Sequence, residues 1–213
     1  MKRFFCALLC LSVLLTGCAA IPTAEEVSDY LLIDAGHGGF DGGAVAPDGT
    51  CEKQINLDIA LHLRDMLSVC GVTTLMTRET DTALADTKSG DMQRRLALYE
   101  GSAAVIAIHQ NTFSIPRYSG TQTFYSPSNA SGIELAESVQ RSVVRYLQTD
   151  NHRPVKSISD GVFLMQNTTV PAVLVECGFL SNSEELTKLK DTDYQRKMAW
   201  SIALGYWDYL GEK

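Results

Sequence analysis

Three short apolar runs limit what this chain can fold into. They are Leu31-Leu32-Ile33, Val105-Ile106-Ala107-Ile108 and Ala172-Val173-Leu174-Val175, and each leads into a polar residue. Uniformly apolar runs of this length suit strands buried on both faces, as in a parallel sheet. Longer stretches between them carry helical spacing. Ile55, Ile59, Leu63, Met66 and Leu67 recur within residues 54–70, and Ile133, Ala136, Val139, Val143 and Leu147 within residues 131–148. Two further helices are expected, around 92–100 and over 194–210, the second with Asp193 as its N-cap. Strands are expected at 30–34, 72–77, 103–108, 120–125, 162–165 and 172–175. The alternation implies an α/β fold: a single domain whose mostly parallel twisted sheet is covered by helices on both faces.

With 213 residues the chain is sized for one such domain. A net charge of −7 argues against nucleic acid as a partner, since such binders usually carry a basic face. The first residues read as a targeting segment: Lys2 and Arg3, then an apolar run from Phe4 to Leu15. That run is shorter than the roughly 20 residues a membrane-spanning helix needs. It ends in Leu15-Thr16-Gly17-Cys18, similar to a bacterial lipobox, which makes Cys18 the expected lipidation site. Residues 1–17 are then the signal peptide, 18–29 a tether and 30–213 the catalytic domain. An ordinary secretory cut, with Cys18 incidental, is the alternative. Of the remaining cysteines, Cys51, Cys70 and Cys177 are odd in number and irregular in spacing, so they form no disulfide framework. They read by default as small apolar side chains in the core, with a Cys51–Cys177 bridge as the alternative.

The chemistry gathers where the strands end. In doubly covered sheets, ligands collect at the carboxyl ends of the strands, and His37, His109 and Glu176 all fall there. Glu52 precedes the first helix. Two imidazoles and a carboxylate can hold zinc and leave a position for water, and a second glutamate can take that water's proton. Each residue also has a plainer reading. His37 sits among Gly36, Gly38 and Gly39 and could be a turn histidine; a dinucleotide loop fails because Asp41 stands where the third glycine belongs. His109 could be a structural strand-end histidine, and Glu52 a first-turn acid favoured by the helix dipole. Glu176, beside a core strand, needs a partner or a raised pKa.

Several separate segments together resemble the zinc-dependent N-acetylmuramoyl-L-alanine amidases of the Amidase_3 type. They are Asp34-Ala35-Gly36-His37-Gly38-Gly39-Phe40-Asp41-Gly42-Gly43-Ala44, Glu52 with Asn56-Leu57, Thr77-Arg78 with Asp81, Ile108-His109-Gln110-Asn111, Ser119-Gly120 with Phe124-Tyr125, and residues 171–182 around Glu176. The resemblance runs in order from about Tyr30 to Leu210 and is most similar to amidases of spore cortex peptidoglycan. It implies a zinc cofactor held by His37, Glu52 and His109, with Glu176 as catalytic acid–base and peptidoglycan as substrate. Ala35 and Ala107 depart from the usual proline and serine, from which altered loop stiffness is expected.

Asn111 and Arg78 are candidate substrate-binding residues. Arg78 could grip a stem-peptide carboxylate bidentately or pair with Asp81. His62, in mid-helix, reads as a packing or surface residue, and His152 as solvated. Three alternatives stand beside the amidase reading: an amidohydrolase cutting within the stem peptide, a murein-binding lipoprotein of weak activity, and an enzyme awaiting an activating protein. A lipidated Cys18 would hold the protein on the outer face of the cytoplasmic membrane; without it the protein would be secreted.

Overall fold

The computed structural model describes residues 30–158 and 161–211. The signal peptide, the Cys18 lipidation site and the tether fall outside these residues. In chain order the elements are β1 (Leu31–Ala35), α1 (Glu52–Val69), β2 (Thr74–Met76), α2 (Lys88–Glu100), β3 (Ala104–Asn111) and β4 (Gln122–Tyr125). There follow α3 (Ser131–Tyr146), β5 (Lys156–Ser157), α4 (Phe163–Asn167), β6 (Ala172–Phe179), α5 (Ser183–Leu189) and α6 (Thr192–Gly211).

One six-stranded sheet runs in the order β2-β1-β3-β6-β4-β5. All neighbours are parallel except β4 against β6. Strand alternation divides the core. Ile33, Ile106, Ile108, Val173 and Val175 face α1, α3 and α6. Leu32, Val105, Ala107 and Leu174 face the other way, against Tyr99 of α2 and Leu164 and Met165 of α4. Helices therefore cover both faces, as the apolar strands require.

The run at 162–165 is not the expected strand. It enters α4, and its adjacent residues Leu164 and Met165 are both buried against one face of the sheet. A strand would send consecutive side chains to opposite faces; one turn of helix brings both inward. The expected cap of α6 also moves. Asp191, not Asp193, takes the Tyr194 N–H at 2.8 Å, while Asp193 lies in the first turn and pairs with Arg196. Strands β3 and β6 run on to Asn111 and Phe179, so His109 and Glu176 are strand residues and not the residues just beyond. Among the described residues no helix is long and apolar enough to cross a membrane. The three described cysteines are unpaired, with Cys177 buried and Cys70 exposed, so Cys51 and Cys177 form no bridge.

Helices α3 and α6 approach closely at Gly205. A Cβ there would lie 2.6 Å from the Val139 Cα and 2.9 Å from the Ser138 carbonyl oxygen. Two hydroxyls bridge the same contact, Ser138 Oγ to the Gly205 carbonyl at 2.8 Å and Ser142 Oγ to that of Ser201 at 2.6 Å. Intrinsic propensity favours alanine over glycine in a helix by about 1 kcal/mol. The backbone clash reverses that sign. Gly205→Ala is expected to lower stability by about 1–3 kcal/mol in urea unfolding, and a more stable variant would mean the helices can part at no cost.

Candidate metal centre

The loop after β1 is held from beneath by buried charge. Asp34 is almost wholly enclosed, yet its carboxylate is fully engaged: by Arg95 of α2, by the Thr77 hydroxyl at 2.8 Å and by the Tyr99 hydroxyl at 2.6 Å. Burial would raise its pKa, but Arg95 and the Tyr99 hydrogen bond hold it below the usual carboxylate value. Arg95 also meets Asp91 at 2.8 Å and donates to the carbonyls of Ala35 and His37 at 3.1 and 2.6 Å. That grip helps hold His37 at φ 62°, a left-handed conformation costing roughly 1–2 kcal/mol for a residue other than glycine.

Glu52, the first residue of α1, joins three segments. Its Oε2 accepts from the Ala44 N–H at 2.9 Å, and its Oε1 accepts from the Gln110 N–H and the Asn56 amide, both at 3.1 Å. The same two oxygens lie 3.2 Å from His37 Nε2 and 2.9 Å from His109 Nδ1. Burial opposes ionisation of Glu52, but the two imidazoles drive its pKa far down. On the His109 side, burial disfavours the charged ring and Glu52 more than offsets it, so that pKa rises. His109 can lie here because residue 36 is glycine: a Cβ at Gly36 would come within 2.4 Å of the imidazole.

One donor atom from each of His37, Glu52 and His109 lies within 4.8 Å of the others. His37 Nδ1 is 2.8 Å from Asp41 Oδ2, and Asp41 is in turn paired with Lys88. Both His37 nitrogens therefore face carboxylates, which can only accept hydrogen bonds, while a neutral imidazole carries one N–H. A cation among Nε2, Nδ1 and the Glu52 carboxylate resolves that shortage. The donor set of two imidazoles and one carboxylate suits zinc.

Glu176 is set by the sheet. It is the register partner of His109 across β3 and β6 and stands on the same face. Its Oε2 is buried without a hydrogen-bond partner among the described residues. Burial chiefly, with Glu52 adding to it, raises its pKa to about 7.

The other candidates divide. Asn111 closes β3 half-buried; its carbonyl accepts from the Leu180 N–H at 2.8 Å. Arg78 is buried, and its guanidinium donates to the carbonyls of Ala35, Gly36, Lys53 and Thr80 at 2.7 to 3.1 Å. Its fork is thus closed to a substrate carboxylate, and Asp81 pairs with Lys53 instead. Arg78 braces the loop. His62 lies half-buried on α1 and His152 is exposed, both away from the cluster. Asp41, Asp34 and Arg95 carry roles the sequence reading missed. Asp34 gave a signal, a carboxylate within an apolar run; Arg95 gave none.

A family model described as N-acetylmuramoyl-L-alanine amidase matches residues 31–206. The germination-specific N-acetylmuramoyl-L-alanine amidase of Bacillus subtilis (strain 168) is 39% identical over 193 residues, covering 86% of this chain and 80% of the relative. Among solved structures, the CwlD amidase from Clostridioides difficile in complex with the GerS lipoprotein is similar with a TM-score of 0.82. It is 35% identical, over 87% of this chain and all of that one. An N-acetylmuramoyl-L-alanine amidase from Clostridium difficile 630 gives a TM-score of 0.78 at 28% identity, over 87% of this chain and 99% of that one.

Removing one partner of a buried ion pair strands the other. Arg95→Met is expected to cost about 3–5 kcal/mol in urea unfolding at pH 7. Asp34 has its pKa depressed by folding, so its stabilisation is present above the unfolded value and lost as pH falls through the folded one. The gap between wild type and variant is accordingly expected to narrow below about pH 4; a gap independent of pH would assign the loss to packing alone.

Proposed function

The chain belongs to the N-acetylmuramoyl-L-alanine amidase family, and we propose that it hydrolyses the amide joining N-acetylmuramic acid to the L-alanine of the peptidoglycan stem peptide, with His37, Glu52 and His109 as zinc ligands and Glu176 as the acid–base. One observation carries the assignment of roles: three donor atoms converge while a fourth residue, Glu176, stands beside them with a buried, unpartnered oxygen.

Zinc held there would supply Lewis acidity, polarising the scissile carbonyl and making a water more acidic. The chain's own groups do the rest. Asp41 fixes His37 with its Nδ1 protonated, which presents the Nε2 lone pair inward. Glu176 takes a proton from the attacking water and returns it to the departing L-alanine nitrogen. Burial favours the protonated form of Glu176, which helps it keep the proton between the two transfers. Asn111 remains a proposed substrate contact, since it closes the strand that carries His109.

The reading places the protein at the cell wall, outside the cytoplasm. A lipid on Cys18 would fix it to the outer face of the cytoplasmic membrane, provided more than one acyl chain is attached, because a single chain binds only marginally. A partner protein fits the same picture: the Clostridioides difficile relative was solved with a lipoprotein. Spore cortex peptidoglycan is the substrate form suggested by the germination-specific relative.

Purified peptidoglycan incubated with the zinc-loaded protein is expected to gain L-alanine amino termini. Glu176→Gln is expected to bind zinc at the same stoichiometry while turnover falls about 100-fold to 10,000-fold. Release of other amino termini would point to a cut within the stem peptide. Equal turnover in the variant would remove Glu176 from the mechanism.

A further inference from the structure

An open groove of about 1530 Å³ runs between the segment 116–120, the segment 147–153 and the start of α5. Arg153 projects along it. Its Nε donates to the Ser119 carbonyl at 2.7 Å and its Nη1 to Gln122 Oε1 at 3.2 Å. The guanidinium lies over the Phe179 ring, 4.7 Å from the centroid, and 5.7 Å from that of Tyr118. Two carbonyl-type acceptors and two rings thus hold the fork rigidly. Yet among the described residues Arg153 makes no ion pair. Glu185 feels the charge of Arg153 but makes no ion pair with it, its two oxygens accepting instead from the Gly120 and Phe179 N–H groups at 2.9 and 2.8 Å. A half-buried, stacked and unpaired guanidinium is a site prepared for a planar anion.

Its position names the anion. Gln122 is the register partner of Glu176 across β4 and β6, so the two side chains leave the same face about 5 Å apart. Arg153 is therefore one side chain removed from the proposed acid–base. We propose that Arg153 binds a carboxylate of the stem peptide downstream of L-alanine, making this groove the peptide subsite of the amidase. This inference rests on the amidase reading. In peptidoglycan the residue after L-alanine is commonly a glutamate linked through its γ-carboxyl, which leaves the α-carboxylate free. Two extended residues span about 7 Å, the scale that separates the scissile amide from this carboxylate. The role first given to Arg78 thus passes to Arg153, whose Nη2 is free of protein acceptors among the described residues, where Arg78 spends both Nη2 donors, its Nε and one Nη1 donor on backbone carbonyls.

The test compares N-acetylmuramoyl-L-alanyl-D-glutamate with its α-amide, the D-isoglutamine form, as substrates of the zinc-loaded protein. Wild type is expected to favour the free acid in kcat/KM by about tenfold or more, the worth of a charge-assisted hydrogen bond. Arg153→Gln is expected to bring that ratio close to one, and Arg153→Lys to restore part of it. Calorimetric binding of the two compounds to the Glu176→Gln protein gives the same comparison without turnover. A wild-type ratio near one, or an unchanged ratio in Arg153→Gln, would overturn the subsite and leave the amidase standing. If neither compound is cleaved and peptidoglycan yields no L-alanine amino termini, the amidase reading falls and the subsite with it.

Discussion

Everything at the candidate metal centre depends on a charge pair that never reaches solvent. Asp34 and Arg95 are both about 1% exposed, and burying two such ions costs several kcal/mol each before their attraction is counted. A pair of this kind adds little net stability. What it adds is position: Arg95 reaches past Asp34 to the carbonyls of Ala35 and His37, and Arg78 takes those of Ala35 and Gly36. Two cations thus hold three consecutive carbonyls of a glycine-rich turn. The strained backbone at His37 persists because its surroundings leave no alternative.

The sheet was readable because apolar runs have few ways to be satisfied. Buried strands and long amphipathic helices announce themselves by period, and α1, α3 and α6 lie close to where their spacing put them. The failures were equally physical. Phe163-Leu164-Met165 is apolar without alternation, so length alone had to decide between strand and helix. Helix α2 starts earlier than its apolar spacing suggests, at Lys88, because Thr87 caps it by accepting from the Gly90 N–H at 3.1 Å. The short α5 has few periodic residues, and Asn182 starts it by accepting from the Glu184 and Glu185 N–H groups at 3.0 and 3.2 Å. Capping is a side-chain event that hydrophobic period does not report.

The candidate metal centre was readable for a different reason. His37, His109 and Glu176 come together because strand ends converge in this architecture, Glu52 joins them from the start of α1, and the motifs around them fixed which polar residue mattered. Arginines escaped that logic. Arg78 and Arg153 look alike in a sequence, each a cation in a polar loop. Only the contacts reveal that one donates wholly to backbone carbonyls and the other lies stacked on rings with donors to spare. The same limit hid Asp41, whose effect on His37 depends on which imidazole nitrogen it faces.

His109 and Glu176 are paired across neighbouring parallel strands, and their separation follows from that fact alone. Inter-strand spacing is about 4.8 Å in any sheet. The gap between the proposed metal ligand and the proposed acid–base is then a lattice constant, set by the backbone hydrogen bonds of two central strands. Loops 113–120 and 147–153 can change length or composition to suit another wall chemistry without retuning it. On the proposed subsite, substrate choice and reactive geometry vary on separate parts of the chain.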